Sequence, residues 1–399
     1  MPLKLLLLLV GVVALIQPCF AAASTPETIC RYLESDGKRT KIPGGYLKKD
    51  EQKDQQIYFR FRPNIDNWSV AVVDIRDKES KLQLMVRLQQ PCKITQARQA
   101  VYDKAGKLLS LKTLGPDLVT VAAEDVVNPA VPDVYQAAEK KKPLLAIADT
   151  GVNYLLPKIQ PHIARTANGN LLGYDFWDMD ERPFDSDPRQ NPYYPFHHGT
   201  TVFSVLAAEA PGEAIAVYRF PALNMCRYKE LINHAVNAGV RVMNISMGSN
   251  NIDDWTCFAT AAQNSPSVLF VVSAGNNGRN IDEHPVYPAA LSLDNLFVVS
   301  SSDHFGRPGA ASNTGSQHVD IFVPAEQVSV TDHRGVRTTT GGTSYAAPRV
   351  AALAVRYLRA NPDADTQQII SFLQKRAISG QGNISAFGWI PDPTDDFGF

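Results

Sequence analysis

Short apolar runs alternate with helix-like patterns along residues 143–376, and this alternation limits the fold more than any other feature of the sequence. Apolar runs of this length, each followed by helical periodicity, are typical of buried parallel strands that are connected by helices. The connecting helices cover both faces of such a sheet. We therefore expect a three-layer α/β domain with a mostly parallel sheet. The predicted strands lie at residues 144–148, 214–218, 240–245, 268–272 and 296–299.

Residues 24–125 have a different pattern, in which short runs of alternating apolar and polar residues are separated by turn-like clusters. The runs at 56–61 and 70–75 show this alternation, and the cluster at 64–67 lies between them. Alternation with a period of two between turn signals predicts short strands that are joined by turns. We expect a small, mostly-β N-terminal domain that acts as a pro domain or as an accessory domain.

Three segments lie outside the two expected domains. Residues 1–23 combine Lys4 with an apolar run at 5–16, which predicts a signal peptide. About 20 apolar residues are needed to cross a bilayer, and this run is shorter. We therefore expect a secreted or periplasmic protein that has no membrane contact after cleavage. Residues 126–142, with prolines and a lysine run, predict a linker, and residues 377–399 predict a C-terminal extension.

The charges of the chain are balanced, with 39 basic and 40 acidic residues and a formal net charge of −1. A balanced chain has no broad electrostatic field that would attract nucleic acid or an anionic membrane. We therefore expect no nucleic-acid partner, and recognition that depends on local contacts.

Four cysteines remain when the predicted signal peptide is removed. In an oxidising compartment, two disulfides are expected, and the spacings match no zinc-binding pattern. Cys226 and Cys257 each begin a helical pattern that follows one of two successive strands, and right-handed crossovers place those helix starts side by side. This predicts a pair of Cys226 with Cys257, which leaves Cys30 for Cys92.

An Asp-Thr-Gly motif at residues 149–151 directly follows the first predicted strand. Functional groups of parallel sheets gather at the carboxyl ends of strands, so the carboxylate of Asp149 is expected at that edge. The same tripeptide is the signature of aspartic proteases. That chemistry needs two carboxylates, and no second copy of the motif occurs in this chain.

Three other motifs carry polar groups that suit chemistry. His198, in the His-His-Gly-Thr motif at 197–200, opens a helical pattern. Ser344 lies in a glycine-rich segment that leads into a long apolar helix, where amide donors and the helix dipole favour negative charge. Asn276 follows the strand at 268–272 in a glycine-containing turn, which directs its side-chain amide across the sheet edge.

These four motifs, in the order Asp, His, Asn, Ser, resemble the subtilase family over about residues 143–376. The resemblance implies a subtilisin-like fold and a secreted serine endopeptidase. It implies that Asp149 orients the imidazole, that His198 is the general base and that Ser344 is the nucleophile. It also implies that Asn276 donates a hydrogen bond to the oxyanion.

The Asn-Ile-Ser-Met-Gly segment at 244–248 is similar to the family segment that pairs with an extended polypeptide substrate. Ser246, Met247 and Gly248 are therefore the substrate-binding residues that the resemblance implies. No cofactor is required for chemistry of this kind.

The chain departs from the common family pattern at three positions near these motifs. Thr201 stands where many subtilases have a second histidine, Gly341 where asparagine is common, and Tyr345 where methionine is common. None of these changes removes a predicted catalytic group. Two alternatives stay open, namely an inactive subtilase fold that serves as a binding module, and an esterase or transpeptidase that uses the same acyl-enzyme chemistry.

Acidic residues crowd the segment before the histidine motif. Carboxylate oxygens are the ligands that calcium prefers, so this segment is a candidate structural calcium site, with a solvated acidic loop as the alternative. The acidic residues are Asp175, Asp178, Asp180, Asp185 and Asp187.

Overall fold

The computed structural model describes residues 24–34, 38–132, 144–379 and 382–399. The chain divides after Val126 into two compact units. The signal peptide predicted for residues 1–23 and residues 133–142 of the predicted linker lie outside the described residues. Within the described ranges, no helix is long and apolar enough to cross a membrane.

The N-terminal unit is an eight-stranded sheet in which every strand pairs antiparallel with its neighbour in sequence. Alternate side chains such as Phe59 and Val73 are fully buried on one face, where Ile29 of the helix packs against them. The mostly-β prediction for this region is confirmed. The elements are α1 (Pro26–Glu34), β1 (Thr40–Ile42), β2 (Gly45–Asp50), β3 (Gln55–Pro63), β4 (Trp68–Asp77), β5 (Leu82–Gln89), β6 (Lys93–Tyr102), β7 (Leu108–Leu114) and β8 (Val121–Val126).

The C-terminal unit contains an eight-stranded, fully parallel sheet with the strand order β10-β11-β9-β12-β13-β14-β15-β18. Its strands are β9 (Leu145–Asp149), β10 (Gly173–Asp175), β11 (Ile215–Arg219), β12 (Val242–Ile245), β13 (Leu269–Ser273), β14 (Leu296–Ser302), β15 (Ile321–Pro324) and β18 (Gly388–Trp389). A separate hairpin consists of β16 (Val328–Thr331) and β17 (Arg337–Thr340). The helices are α2 (Gly199–Glu209), α3 (Tyr228–Ala238), α4 (Thr256–Gln263), α5 (Thr343–Ala360) and α6 (Thr366–Arg376), with short 3₁₀ helices at Gln160–His162, Met225–Arg227 and Ile252–Trp255.

Successive side chains of the inner strand β9 point to opposite faces of the sheet, and each face has its own core. Ile147 packs in one cluster with Phe203 of α2 and Leu353 of α5. Ala146, the residue before it, packs in the other cluster with Phe258 of α4. Because both faces are covered by helices, the strands are apolar throughout. They therefore form continuous apolar runs in the amino-acid sequence. The three-layer α/β prediction is confirmed.

Each of the five predicted strands is present, with bounds that differ from the prediction by at most three residues. The sheet has three further strands, β10, β15 and β18, which are three, four and two residues long. Runs this short give no periodic signal. The last of them, β18, lies within residues 377–399 and pairs parallel with β15.

Both predicted disulfides are present. Cys226 pairs with Cys257, with 4.8 Å between the two Cα atoms, and so joins the short 3₁₀ helix directly before α3 to the start of α4. Cys30 on α1 pairs with Cys92, which directly precedes β6, with 5.9 Å between the Cα atoms. The helix starts that follow successive parallel strands do therefore lie side by side, as the crossover rule requires.

Candidate active site

Asp149 is the last residue of β9, and its carboxylate lies at the carboxyl edge of the parallel sheet. Its side chain is 1% exposed. Oδ1 accepts a hydrogen bond from the ring nitrogen Nδ1 of His198 at 2.8 Å and another from the backbone amide of Thr150 at 2.7 Å. Asp149 is therefore bonded to the imidazole of His198 through the Nδ1 atom alone.

His198 directly precedes α2, which starts against the end of β9. The contact is tight, because a Cβ on Gly199 would lie 2.0 Å from the carbonyl oxygen of Gly151. Only glycine permits this approach, and the approach brings the imidazole to Asp149. A carboxylate can only accept, so Nδ1 carries the proton and Nε2 has a free lone pair.

The environment of His198 acts on its pKa in two directions. Burial alone would lower the pKa of the imidazole, because it disfavours the charged form. The charge and hydrogen bond of Asp149, together with the charge of Asp185, outweigh the burial and raise the pKa above its ordinary value. A raised pKa makes His198 a stronger base than a free imidazole.

Ser344 is the second residue of α5, where backbone amides have no intrahelical acceptor. The chain enters this helix through Gly341 and Gly342. A Cβ on Gly341 would lie 2.4 Å from the carbonyl oxygen of Glu326, so the asparagine that is common in relatives has no room here. Ser246 fixes the serine segment, since its hydroxyl donates to the carbonyl oxygen of Ser344 at 3.0 Å.

Two of the departures from the family pattern contact each other beside these residues. The hydroxyl oxygens of Thr201 on α2 and Tyr345 on α5 are 3.2 Å apart. The ring of Tyr345 has its centroid 6.0 Å from that of His198. This pair therefore joins the helix that follows His198 to the helix that carries Ser344.

Asn276 follows β13 and faces the start of α5. Its Oδ1 accepts hydrogen bonds from the backbone amide of Thr343 at 3.0 Å and from the Thr343 hydroxyl at 3.1 Å. Since an amide nitrogen only donates, the assignment of Oδ1 is fixed by the Thr343 amide. The Nδ2 group must then point away from Thr343, which leaves it free to donate to a ligand.

A cavity of about 270 Å³ opens between the segments after β12 and β13. It brings together the predicted nucleophile, the predicted oxyanion donor and the predicted substrate-binding segment. Its lining contains no charged side chain among the described residues. The lining residues that the sequence predicted are Ser246, Met247, Gly248, Asn276 and Ser344.

In the part of the chain that the structure describes, no three of the acidic residues before α2 form a group that could hold one metal ion. Asp175 and Asp178 both pair with the buried Arg219 of β11, at 2.9 and 2.7 Å. Asp180 pairs with Arg182 at 2.9 Å, and Asp187 pairs with Arg189 at 2.7 Å. Asp185 is fully buried and is bonded to Thr150 and Thr200. Each carboxylate of the candidate calcium loop therefore already has a protein partner.

Asp185 lies instead with two histidines that the sequence did not single out as functional. Among the described residues, Asp185, His197 and His333 form the one group of three whose potential metal-ligand atoms all lie within 4.8 Å of one another. The two imidazole rings are stacked, with centroids 3.6 Å apart and planes within 9°. Their lone pairs lie in parallel planes, so they cannot point at one metal ion in this arrangement.

A sequence profile of the subtilase family matches residues 140–389. The chain belongs to the subtilase family. This subtilase is 28% identical over 268 residues to the thermophilic serine proteinase of Bacillus sp. (strain AK1). The alignment covers 62% of this chain and 59% of that protein. It is 26% identical over 276 residues to thermitase of Thermoactinomyces vulgaris. That alignment covers 65% of this chain and 90% of thermitase. The chain spans between 39% and 59% of the length of the first three curated relatives that it matches.

Solved structures with the same fold include the nisin leader peptidase NisP from Lactococcus lactis. The TM-score is 0.52 at 18% sequence identity, over 65% of this chain and 88% of that chain. A lanthipeptide protease gives a TM-score of 0.51 at 22% identity, over 62% of this chain and 85% of that chain. At this level of identity the two structures establish the fold of the C-terminal unit and nothing about its substrate.

The arginine partners of the acidic loop lead to a prediction about calcium. Because the Asp178 carboxylate is held by Arg219, we expect that calcium does not stabilise the protein through this loop. The difference in melting temperature between calcium and a calcium chelator should be the same for the wild type and for Asp178→Asn. A calcium-dependent increase that disappears in Asp178→Asn would establish the loop as a calcium site.

Proposed function

We propose that this subtilase is a secreted serine endopeptidase that hydrolyses peptide bonds through an acyl-enzyme on Ser344. The observation that carries the proposal is the hydrogen bond between Asp149 and His198 at a sheet edge that also holds Ser344 and Asn276. These four groups provide an oriented base, a nucleophile and an oxyanion donor, which together are sufficient for acyl transfer. The two disulfides are in keeping with a secreted or periplasmic location.

The proposed reaction begins when Nε2 of His198 removes the proton from the Ser344 hydroxyl as its oxygen attacks the peptide carbonyl carbon. Asp149 accepts the hydrogen bond from Nδ1 throughout and stabilises the imidazolium that forms. His198 then gives the proton to the leaving amine, and the acyl group stays on Ser344. A water molecule, deprotonated by His198, releases the acid product.

Negative charge develops on the carbonyl oxygen during both steps, and we assign two donors to its stabilisation. One is the Nδ2 group of Asn276, and the other is the backbone amide of Ser344 at the start of α5. The positive end of the α5 dipole adds to this stabilisation. No metal or organic cofactor takes part in the proposed chemistry.

The proposed substrate is a polypeptide in an extended conformation that lies beside residues 244–248. The adjoining cavity is lined by polar, uncharged groups together with Met247 and Val286, so the side chain that enters it is expected to be uncharged. A buried charge without a partner would be strongly disfavoured there.

The first test is replacement of the proposed nucleophile. Ser344→Ala removes one oxygen atom, so the fold should be retained while peptide hydrolysis and labelling by a fluorophosphonate are both lost. The measurements are peptide turnover, labelling detected by mass spectrometry and the melting temperature. Peptide hydrolysis at the wild-type rate by Ser344→Ala would refute the proposal, and an unlabelled wild type would favour the inactive binding module.

The second test addresses the oxyanion donor. Asn276→Ala should lower kcat by roughly 100- to 1,000-fold, the loss known for removal of such a donor from subtilisin, which is a member of this family. The KM should hardly change, because the neutral carbonyl of the bound substrate gains little from the donor. Asn277→Ala, at the next position of the same turn, is the matched control. A defect that appears only in KM would remove Asn276 from the catalytic machinery.

A further inference from the structure

A second carboxylate, that of Asp185, is buried behind the start of α2. It is 0% exposed, and its four donors are all close. The hydroxyl of Thr150 donates to Oδ1 at 2.6 Å, and the hydroxyl of Thr200 donates to Oδ2 at 2.5 Å. The backbone amides of His198 and Thr200 donate at 3.1 and 3.0 Å. The buried carboxylate of Asp185 thus fixes the backbone at His198 and at Thr200, two residues further along the chain.

The same donors connect Asp185 to the other proposed catalytic groups. The oxygen of Thr150 accepts a hydrogen bond from the Gly199 amide at 2.8 Å, and the Thr150 amide donates to Asp149 at 2.7 Å. The end of β9 and the beginning of α2 are therefore joined through one carboxylate. A shift of the Asp185 carboxylate would displace both Asp149 and His198, which are the two partners of the hydrogen bond at the site.

Two histidines lie close to Asp185. Nδ1 of His333 lies 3.5 Å from the Oδ2 atom of Asp185. The ring of His197 stacks on that of His333, and its Nδ1 lies 2.6 Å from the backbone oxygen of Asp185. His333 lies in the turn between β16 and β17, the hairpin that precedes the Ser344 segment.

The carboxylate is charged at every pH at which a protease of this kind would act. Burial by itself would raise the pKa of Asp185. The charges of His333 and His197 and the hydrogen bond from the hydroxyl of Thr150 together bring that pKa well below its usual range. A full negative charge is therefore fixed close to His198, and its field is weakly screened because the site is buried.

We propose that Asp185 is a positioning residue for the proposed peptidase reaction. It fixes the backbone of His198 and electrostatically stabilises the imidazolium that forms during proton transfer. This inference rests on the proposed function, since it assigns a role relative to His198 as the base. Asp185 is bonded to Thr150, His198 and Thr200, and in this role it acts on the reaction through His198.

The pH profile separates this role from a purely structural one. The groups that face the imidazole are Asp149 from β9, Asp185 from the preceding loop, and the uncharged rings of Phe196 and Tyr345. In the wild type, activity should rise as His198 loses its proton, at a pH above the ordinary value of about 6.5. Removing the charge of Asp185 removes one of the interactions that raise the pKa of His198. The rise in activity should then move to lower pH.

The test compares Asp185→Asn with the wild type and with Asp187→Asn, a loop carboxylate that pairs with Arg189. The kcat of each variant is calculated per active site that a fluorophosphonate labels, so that unfolded protein does not contribute to the comparison. Asp185→Asn should lower kcat by about 10- to 100-fold, since a misplacement of about 1 Å costs roughly 100-fold. Its KM should change little and its acid limb should move to lower pH, whereas Asp187→Asn should match the wild type.

A kcat per titrated site and a pH profile that are both unchanged in Asp185→Asn would overturn the inference, and so would a lower kcat with an unshifted acid limb. If Asp185→Asn does not fold, Thr200→Val removes one donor and Thr200→Ser retains it. The valine variant should then lose kcat and the serine variant should recover it, while equal kcat values for both would overturn the inference. Failure of the proposed function gives a different result, because the wild type itself would then not hydrolyse peptides.

Discussion

The hydrogen bond between Asp149 and His198 is the interaction on which the rest of the site depends. It exists only because α2 starts directly against the end of β9, with no room for a side chain at Gly199. The buried carboxylate of Asp185 holds that junction from behind. The proposed base is therefore positioned by backbone contacts as much as by its own side chain.

The parallel sheet explains how distant parts of the chain supply one site. Strands β9, β12 and β13 are neighbours, so the segments that follow them meet at one edge. α5 passes over the same part of the sheet and presents Ser344 at its start. Asn276 is then oriented by Thr343, the residue directly before Ser344. The proposed oxyanion donor and nucleophile are thus placed by one contact.

Much of this arrangement could be predicted from the sequence because its signals are local. The strand before Asp149, the helix after His198 and the glycines before Ser344 each lie within a few residues of the group they position. The partner of Asp175 and Asp178 had no such signal, since Arg219 comes from β11, more than 30 residues further along the chain. His333 is 148 residues from Asp185, and nothing in the sequence around His333 marks it as a partner. Charges that pair over long sequence distances cannot be predicted from periodicity or motif.

In the proposed mechanism, Asp149, His198 and Ser344 act as one unit. The most direct measurement is a double-mutant cycle on kcat, with His198→Ala, Ser344→Ala and the double variant. Groups that act in one proton transfer lose their joint contribution when either is removed. The double variant should therefore be no slower than Ser344→Ala alone. If the two losses instead multiply in the double variant, His198 and Ser344 contribute independently, and the site does not work as a triad.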